Sequence, residues 1–126
     1  MIEPSPALRA FLSERHLAVL VTQRADGSPH AVPVGFTMAG GVARVITFAG
    51  SVKVANARAG GRASVTQVDG GRWVTLEGPV RVVADAATVA AAVAAYAARY
   101  RPPKARADRL VLEIEVDRMM CNSGLR

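Results

Sequence analysis

The segment Gly50-Ser51-Val52-Lys53-Val54-Ala55-Asn56 holds the residue types best suited to gripping a ligand. Ser51 is placed to cap a short helix, leaving backbone N–H groups free at its start, and Lys53 adds positive charge there. Together they suit an anion such as phosphate, although many Ser-capped helices with a nearby lysine bind nothing. Thr47, near the end of the preceding strand, can turn its hydroxyl to the same place or serve as an ordinary β-branched strand residue. Arg58 and Arg62 flank the helix, to meet an extended acidic group or only water. His30, beside a proline-shaped bend, is the one histidine placed for acid–base work, and a lone histidine is also commonly structural. Gln67 and Trp73 straddle the Asp69-Gly70-Gly71 turn; alone, Gln67 reads as a surface strand residue and Trp73 as core or interface. Glu113 and Glu115 fall on one strand face and read as solvated partners, not an acid–base pair.

Other chemistry is missing. The chain has no phosphate loop ending in Gly-Lys-Ser/Thr, no dinucleotide glycine fingerprint and no Gly-x-Ser-x-Gly elbow. A single cysteine, Cys121, excludes an internal disulfide and a cysteine-based zinc site. His16 and His30 are too few and too dispersed for a metal cluster, so no metal is expected. The formal charge is +6, and all basic residues except Lys53 and Lys104 are arginine. That charge is spread along the chain and aromatics make up only 5%, which favours an anionic small molecule over nucleic acid. The longest apolar run, Ala86 to Ala98, is too short for a bilayer, and the first twelve residues do not read as a signal peptide. A cytoplasmic protein without membrane partners is expected, carrying no nucleophile of its own, so redox chemistry would come from a bound cofactor.

The elements that must position these residues follow from local pattern. With 126 residues, 51% of them apolar, the chain is expected to form a single domain over 1–126. Ser5-Pro6 starts a short amphipathic helix ending near Arg15. Strands are expected at Leu17–Thr22, His30–Met38 and Val42–Phe48, separated by Ala25-Asp26-Gly27-Ser28 and Ala39-Gly40-Gly41. A helix over Val52–Arg58 ends at Gly60-Gly61. Arg62–Val68 and Arg72–Ala84 form a hairpin, the second strand interrupted at Gly78-Pro79, as at a barrel corner. Asp85 caps a helix over Ala86–Arg99 that Pro102-Pro103 stops, and Leu110–Val116 alternates as a half-buried last strand. Six strands with peripheral α-helices point to a mainly β, antiparallel barrel. Its own side chains fill a barrel this small, so a large ligand must sit outside, at a subunit interface.

The marks Phe11-Leu12-Ser13-Glu14-Arg15-His16-Leu17-Ala18, Asp26-Gly27-Ser28-Pro29-His30, Ala43-Arg44-Val45-Ile46-Thr47, Ser51-Val52-Lys53-Val54-Ala55-Asn56, Gln67-Val68-Asp69-Gly70-Gly71-Arg72-Trp73 and Leu76-Glu77-Gly78 carry a resemblance. From about Ala7 to Val116 the chain resembles the flavin- and deazaflavin-binding split β-barrels related to pyridoxamine 5′-phosphate oxidase, and within them the F420-dependent biliverdin reductases. The resemblance implies a homodimer with a cofactor, coenzyme F420 or alternatively FMN, at the interface. It implies that Pro33, Val34 and Gly35 lie along the deazaflavin ring and that Thr47, Ser51 and Lys53 hold the ribityl phosphate, with Asn56 supporting their loop. Gln67 and Trp73 would approach from the second subunit. Val52 stands where many relatives carry arginine, leaving Arg58 to supplement the phosphate grip. The implied activity is hydride transfer from reduced F420 to a conjugated acceptor such as biliverdin, with no catalytic residue assigned. An FMN-dependent reductase or oxidase and a non-catalytic cofactor-binding module are the alternatives. The tail from Met119 to Arg126 lacks the Trp/Arg/His substrate motif of the true oxidases, so oxidation of pyridoxamine phosphate is not expected.

Overall fold

Eight strands and three α-helices make up the computed structural model, which describes residues 3–126. Ser5 caps α1 (Pro6–Ser13): its hydroxyl oxygen accepts the Leu8 N–H at 3.1 Å while its proton goes to the Leu125 carbonyl, tying the two ends of the chain together. The strands follow as β1 (Ala18–Gln23), β2 (Pro29–Val34), β3 (Thr37–Ala39) and β4 (Val42–Phe48). After α2 (Val52–Arg58) come β5 (Arg62–Asp69) and β6 (Arg72–Val83). The chain closes with α3 (Ala86–Arg99), β7 (Arg109–Glu115) and β8 (Arg118–Cys121). All strand pairings are antiparallel, in the order β2-β1-β5-β6-β7-β4-β3, with β8 added against β6.

The sheet is a split barrel of two half-sheets that share β6. Up to Pro79 that strand pairs β5, and from Val80 it pairs β7. Gly78-Pro79 therefore marks the expected corner, although the strand runs through it unbroken. The reason for glycine is spatial: a Cβ on Gly78 would stand 1.8 Å from the Glu115 carbonyl oxygen. Between the half-sheets, Leu20, Val65, Leu76, Leu112 and Ile114 meet Phe11 and Phe36 in a shared core. Among the described residues, no helix is long and apolar enough to cross a membrane.

Two strands exceed the six expected from pattern. The predicted strand His30–Met38 is divided, because β2 pairs β1 and β3 pairs β4 in the other half-sheet. At the break, side chains from α3 replace a neighbouring strand as hydrogen-bond partners of Phe36. β8 arises from the tail and extends the first half-sheet along β6. The last predicted strand also differs in burial: Leu110 to Ile114 is buried on both faces, since α3 packs against β3, β4 and β7.

Candidate functional site

α2 starts from a buried hydroxyl pair. Thr47, only 2% exposed, donates to the Ser51 oxygen at 3.0 Å, and that oxygen also accepts the Val54 N–H at 3.3 Å. Both lone-pair directions of Ser51 are thus used, and its own proton is left to donate. Lys53 stands two residues on, in the first turn of α2, its Nζ 5.9 Å from the Phe48 ring centroid and with no ion-pair partner among the described residues. Burial without a counter-charge pushes its pKa down. Arg58 is exposed in the last turn.

Asn56 links this corner to the sheet. Its Nδ2 donates to the buried Thr22 hydroxyl on β1 at 3.0 Å, and Thr22 lies opposite His30 in the β1–β2 register. His30 shares the inner face of β2 with Val32 and Val34. Its Nδ1 is buried and has no hydrogen-bond partner among the described residues. Pro33 points outward while Val34 is buried. Since β2 ends the sheet order, its backbone edge at Pro33 and Val34 has no strand partner on that side among the described residues.

The end of α3 fixes that stretch, through residues that local pattern marks only as part of a helix. Tyr100 accepts the Phe36 N–H at 3.1 Å and donates to the His16 carbonyl at 2.7 Å. Arg99 donates through Nη1 to the Phe36 carbonyl at 2.5 Å, through Nε to the Glu14 carbonyl at 2.8 Å and through Nη2 to Gln67 Oε1 at 2.5 Å. Its guanidinium also lies 4.9 Å from the Phe36 ring centroid and 5.1 Å from that of Tyr100. Gly35 is required by this packing, because a Cβ there would come within 2.8 Å of Tyr96 and 3.0 Å of Tyr100. No local sequence signal foretells these contacts, whose partners lie 32 to 85 residues away.

Three sequence readings are corrected. Gln67 is neither a surface residue nor free to reach a second subunit: it is 0% exposed, its amide donating to the Phe11 carbonyl and accepting from Arg99. Glu113 is not solvated. At 4% exposure it lies between two strand neighbours in register, accepting from Arg44 at 2.7 Å and Arg81 at 2.9 Å, while Glu115 is exposed. His16 is not isolated either, since it comes together with Glu14 and Asp69; Arg72 bonds both carboxylates and supplies the positive charge a metal would bring.

Trp73 is 37% exposed at the far end of the outer face, its backbone N–H donating to Asn122 Oδ1 at 2.8 Å. It belongs to an apolar stripe. Trp73 pairs Val68, Val19 pairs Thr66, and Thr66 pairs Thr75 and through it Met120, with Leu17 (66% exposed) next to Ala18 at the β1–β5 pairing. Thus α2 gathers Thr47, Ser51, Lys53, Asn56 and Arg58, β1 connects them to the Pro33–Gly35 strand, and Trp73 stands apart on a face with no cover in one chain.

The family description of pyridoxamine 5′-phosphate oxidase matches residues 4–120. The F420H(2)-dependent biliverdin reductase of Mycobacterium tuberculosis (strain CDC 1551 / Oshkosh) is 49% identical over 118 residues, 92% of this chain and 86% of that protein. Among solved structures, a conserved hypothetical protein of Mycobacterium tuberculosis, Rv2991, superposes with a TM-score of 0.80 at 23% identity over 93% of this chain and 83% of its own. An F420 reductase superposes with a TM-score of 0.75 at 24% identity over 89% of this chain and 94% of its own. At such identities the two structures speak for the fold alone.

Proposed function

The chain belongs to the pyridoxamine 5′-phosphate oxidase family, and from that premise we propose that it is an F420-dependent oxidoreductase that reduces biliverdin or a closely related conjugated acceptor. The observation that carries this reading is the 49% identity, across 92% of the chain, to an F420H(2)-dependent biliverdin reductase. The residues present fit such a cofactor. A partly buried lysine without a counter-ion and a serine with an unspent proton stand at the start of α2, and His30, linked to α2 through Thr22 and Asn56, has an unpartnered Nδ1. An anionic ligand accepting hydrogen bonds would satisfy the first two.

In this reading Lys53 and the Ser51 hydroxyl hold the phosphate, Thr47 orients Ser51, and Asn56 keeps α2 on the sheet. Arg58, exposed one helical turn beyond, supplements the charge that Val52 does not supply. The free edge of β2 from Pro33 to Gly35 lies along the ring, its position set by Tyr100 and Arg99 through Phe36. When bound, the deazaflavin supplies the hydride, and the chain's task is to orient the acceptor and exclude water. Trp73 is offered to the site of a second protomer. The stripe of Leu17, Val19, Val68, Trp73 and Met120 supports this, because a patch of that extent on a sheet face marks an association surface. Gln67, spent inside its own chain, has no part in the proposal.

Titration of the purified protein with F420 and with FMN, followed by anaerobic mixing of reduced F420 with biliverdin, tests the reading. Tight F420 binding and bleaching of biliverdin are expected. Preference for FMN, or F420 binding without hydride transfer, would replace it with the flavin-dependent or the non-catalytic alternative. Sedimentation should show a dimer, and Trp73→Ala should weaken both dimer and cofactor binding.

A further inference from the structure

Away from the α2 corner, a groove of about 730 Å³ opens between α1, β3 and α3, a size within the range of small-molecule sites. Its walls are largely apolar, with Leu12 on one side, Met38 on another, and Ala95 and Ala98 from α3, and Glu3 is the one carboxylate among its lining residues. Two arginines face it, Arg9 from α1 and Arg99 from α3. Neither has a carboxylate partner among the described residues.

Arg99 carries the argument. Its three hydrogen bonds go to two carbonyls and one amide oxygen, all neutral, so the fork is held rigidly while its charge stays uncompensated. Two of its five N–H protons remain for another acceptor. The nearest carboxylate on its partners, that of Glu14, is already engaged by Arg72 at 2.9 and 3.0 Å. A charge taken partly out of water without a counter-ion is costly, and burial accordingly pushes the Arg99 pKa down. A carboxylate entering the groove would remove that cost and find a guanidinium already oriented. The groove also adjoins the proposed ring-binding stretch, because Arg99 bonds the Phe36 carbonyl and Thr37 and Met38 continue the chain into the groove wall.

We propose that this groove is the acceptor subsite, in which Arg99 and Arg9 take the carboxylates of a largely apolar substrate whose body lies against Leu12, Met38 and the alanines of α3. This rests on the reading of the chain as a reductase of biliverdin, whose two propionates and conjugated body have the chemistry the groove would recognise.

The test is equilibrium titration of the full chain, with and without F420, using biliverdin and its dimethyl ester. Arg9→Gln alters an exposed side chain without hydrogen bonds among the described residues. Ala95→Glu places a carboxylate four residues before Arg99 on the exposed face of α3, the favourable order for a helical ion pair, and so occupies the charge from within the chain. Expected Kd increases for the diacid are roughly fivefold for Arg9→Gln and tenfold for Ala95→Glu, while the ester binds weakly and alike to all three proteins. Unchanged diacid binding in both variants, equal losses for diacid and ester, or no diacid binding at all would overturn the subsite. The F420 titration and turnover report separately. A protein that reduces biliverdin while both variants bind it normally keeps its activity and loses this subsite. One with the expected arginine dependence but no affinity for F420 keeps the subsite and loses the activity.

Discussion

Glu113 and Arg99 are both charged groups drawn away from water, and the chain treats them in opposite ways. Glu113 lies on the strand at the middle of its half-sheet, where antiparallel register sets Arg44 on one side and Arg81 on the other. Its carboxylate is answered twice. Arg99 stands at the end of a peripheral helix and touches only neutral oxygens. Lys53 repeats the pattern at the start of α2, partly buried with no acid beside it. The positive balance of the chain therefore divides into cations spent on structure and cations held in place but unspent. In the proposed function the second group is where anions bind.

Removing the answered charge should have the largest effect. Glu113→Gln leaves two arginines facing each other, at a cost of about 3 kcal/mol, the low end for a broken buried pair because Arg81 is half exposed. A urea melt should show the midpoint falling at constant slope, with cofactor affinity in the surviving folded protein unchanged. A comparable loss of affinity would mean that the two groups of cations are not separate.

Gly35→Ala comes next. The added methyl displaces Tyr96 and Tyr100 and should cost about 2 kcal/mol by overpacking. It also loosens the hold of α3 on Phe36, so turnover should fall in protein that remains folded at the assay temperature. Full activity with lowered stability would separate the packing of this corner from its positioning role.

Lys53→Met sharpens the contrast from the other side. Burial disfavours the charged form of this lysine, so its removal should leave the melting temperature unchanged or raise it. The same change should weaken F420 binding about tenfold, or 1.4 kcal/mol. A clear loss of stability would place Lys53 with the structural cations.

The smallest effect concerns Glu14, whose hydrogen bonds from Arg72 and then His16 hold its pKa at about 2 against an ordinary 4.5. A lowered carboxyl pKa stabilises the fold fully above the ordinary value, and that contribution is lost as pH falls from 4.5 towards 2. Because the group is exposed, salt screens the effect. Arg72→Gln should flatten the acid limb of the stability profile over that window, and 1 M salt should reduce the difference between the two proteins.

Chain order accounts for what could be read in advance. Ser5, Ser51 and Asp85 each cap a helix through an N–H three residues on, and such contacts are complete within one turn. The hairpin at Gly70 and the turn at Gly40 need positive φ, which glycine adopts freely, at 61° and 59°. The grouping of residues about the start of α2 was legible for the same reason, since Thr47, Ser51, Lys53 and Asn56 lie within ten positions.

Sequence by itself determined the helices, their caps, most strands and the residue types that gather at α2, because those depend on neighbours a few positions apart. Tertiary structure alone decided that Gln67 is spent inside, that Glu113 is answered, that β2 and β3 divide at Phe36 and that Arg99 is not answered. Whether a charge is compensated depends on groups that folding brings together from 32 to 85 residues away, and no local pattern encodes that pairing.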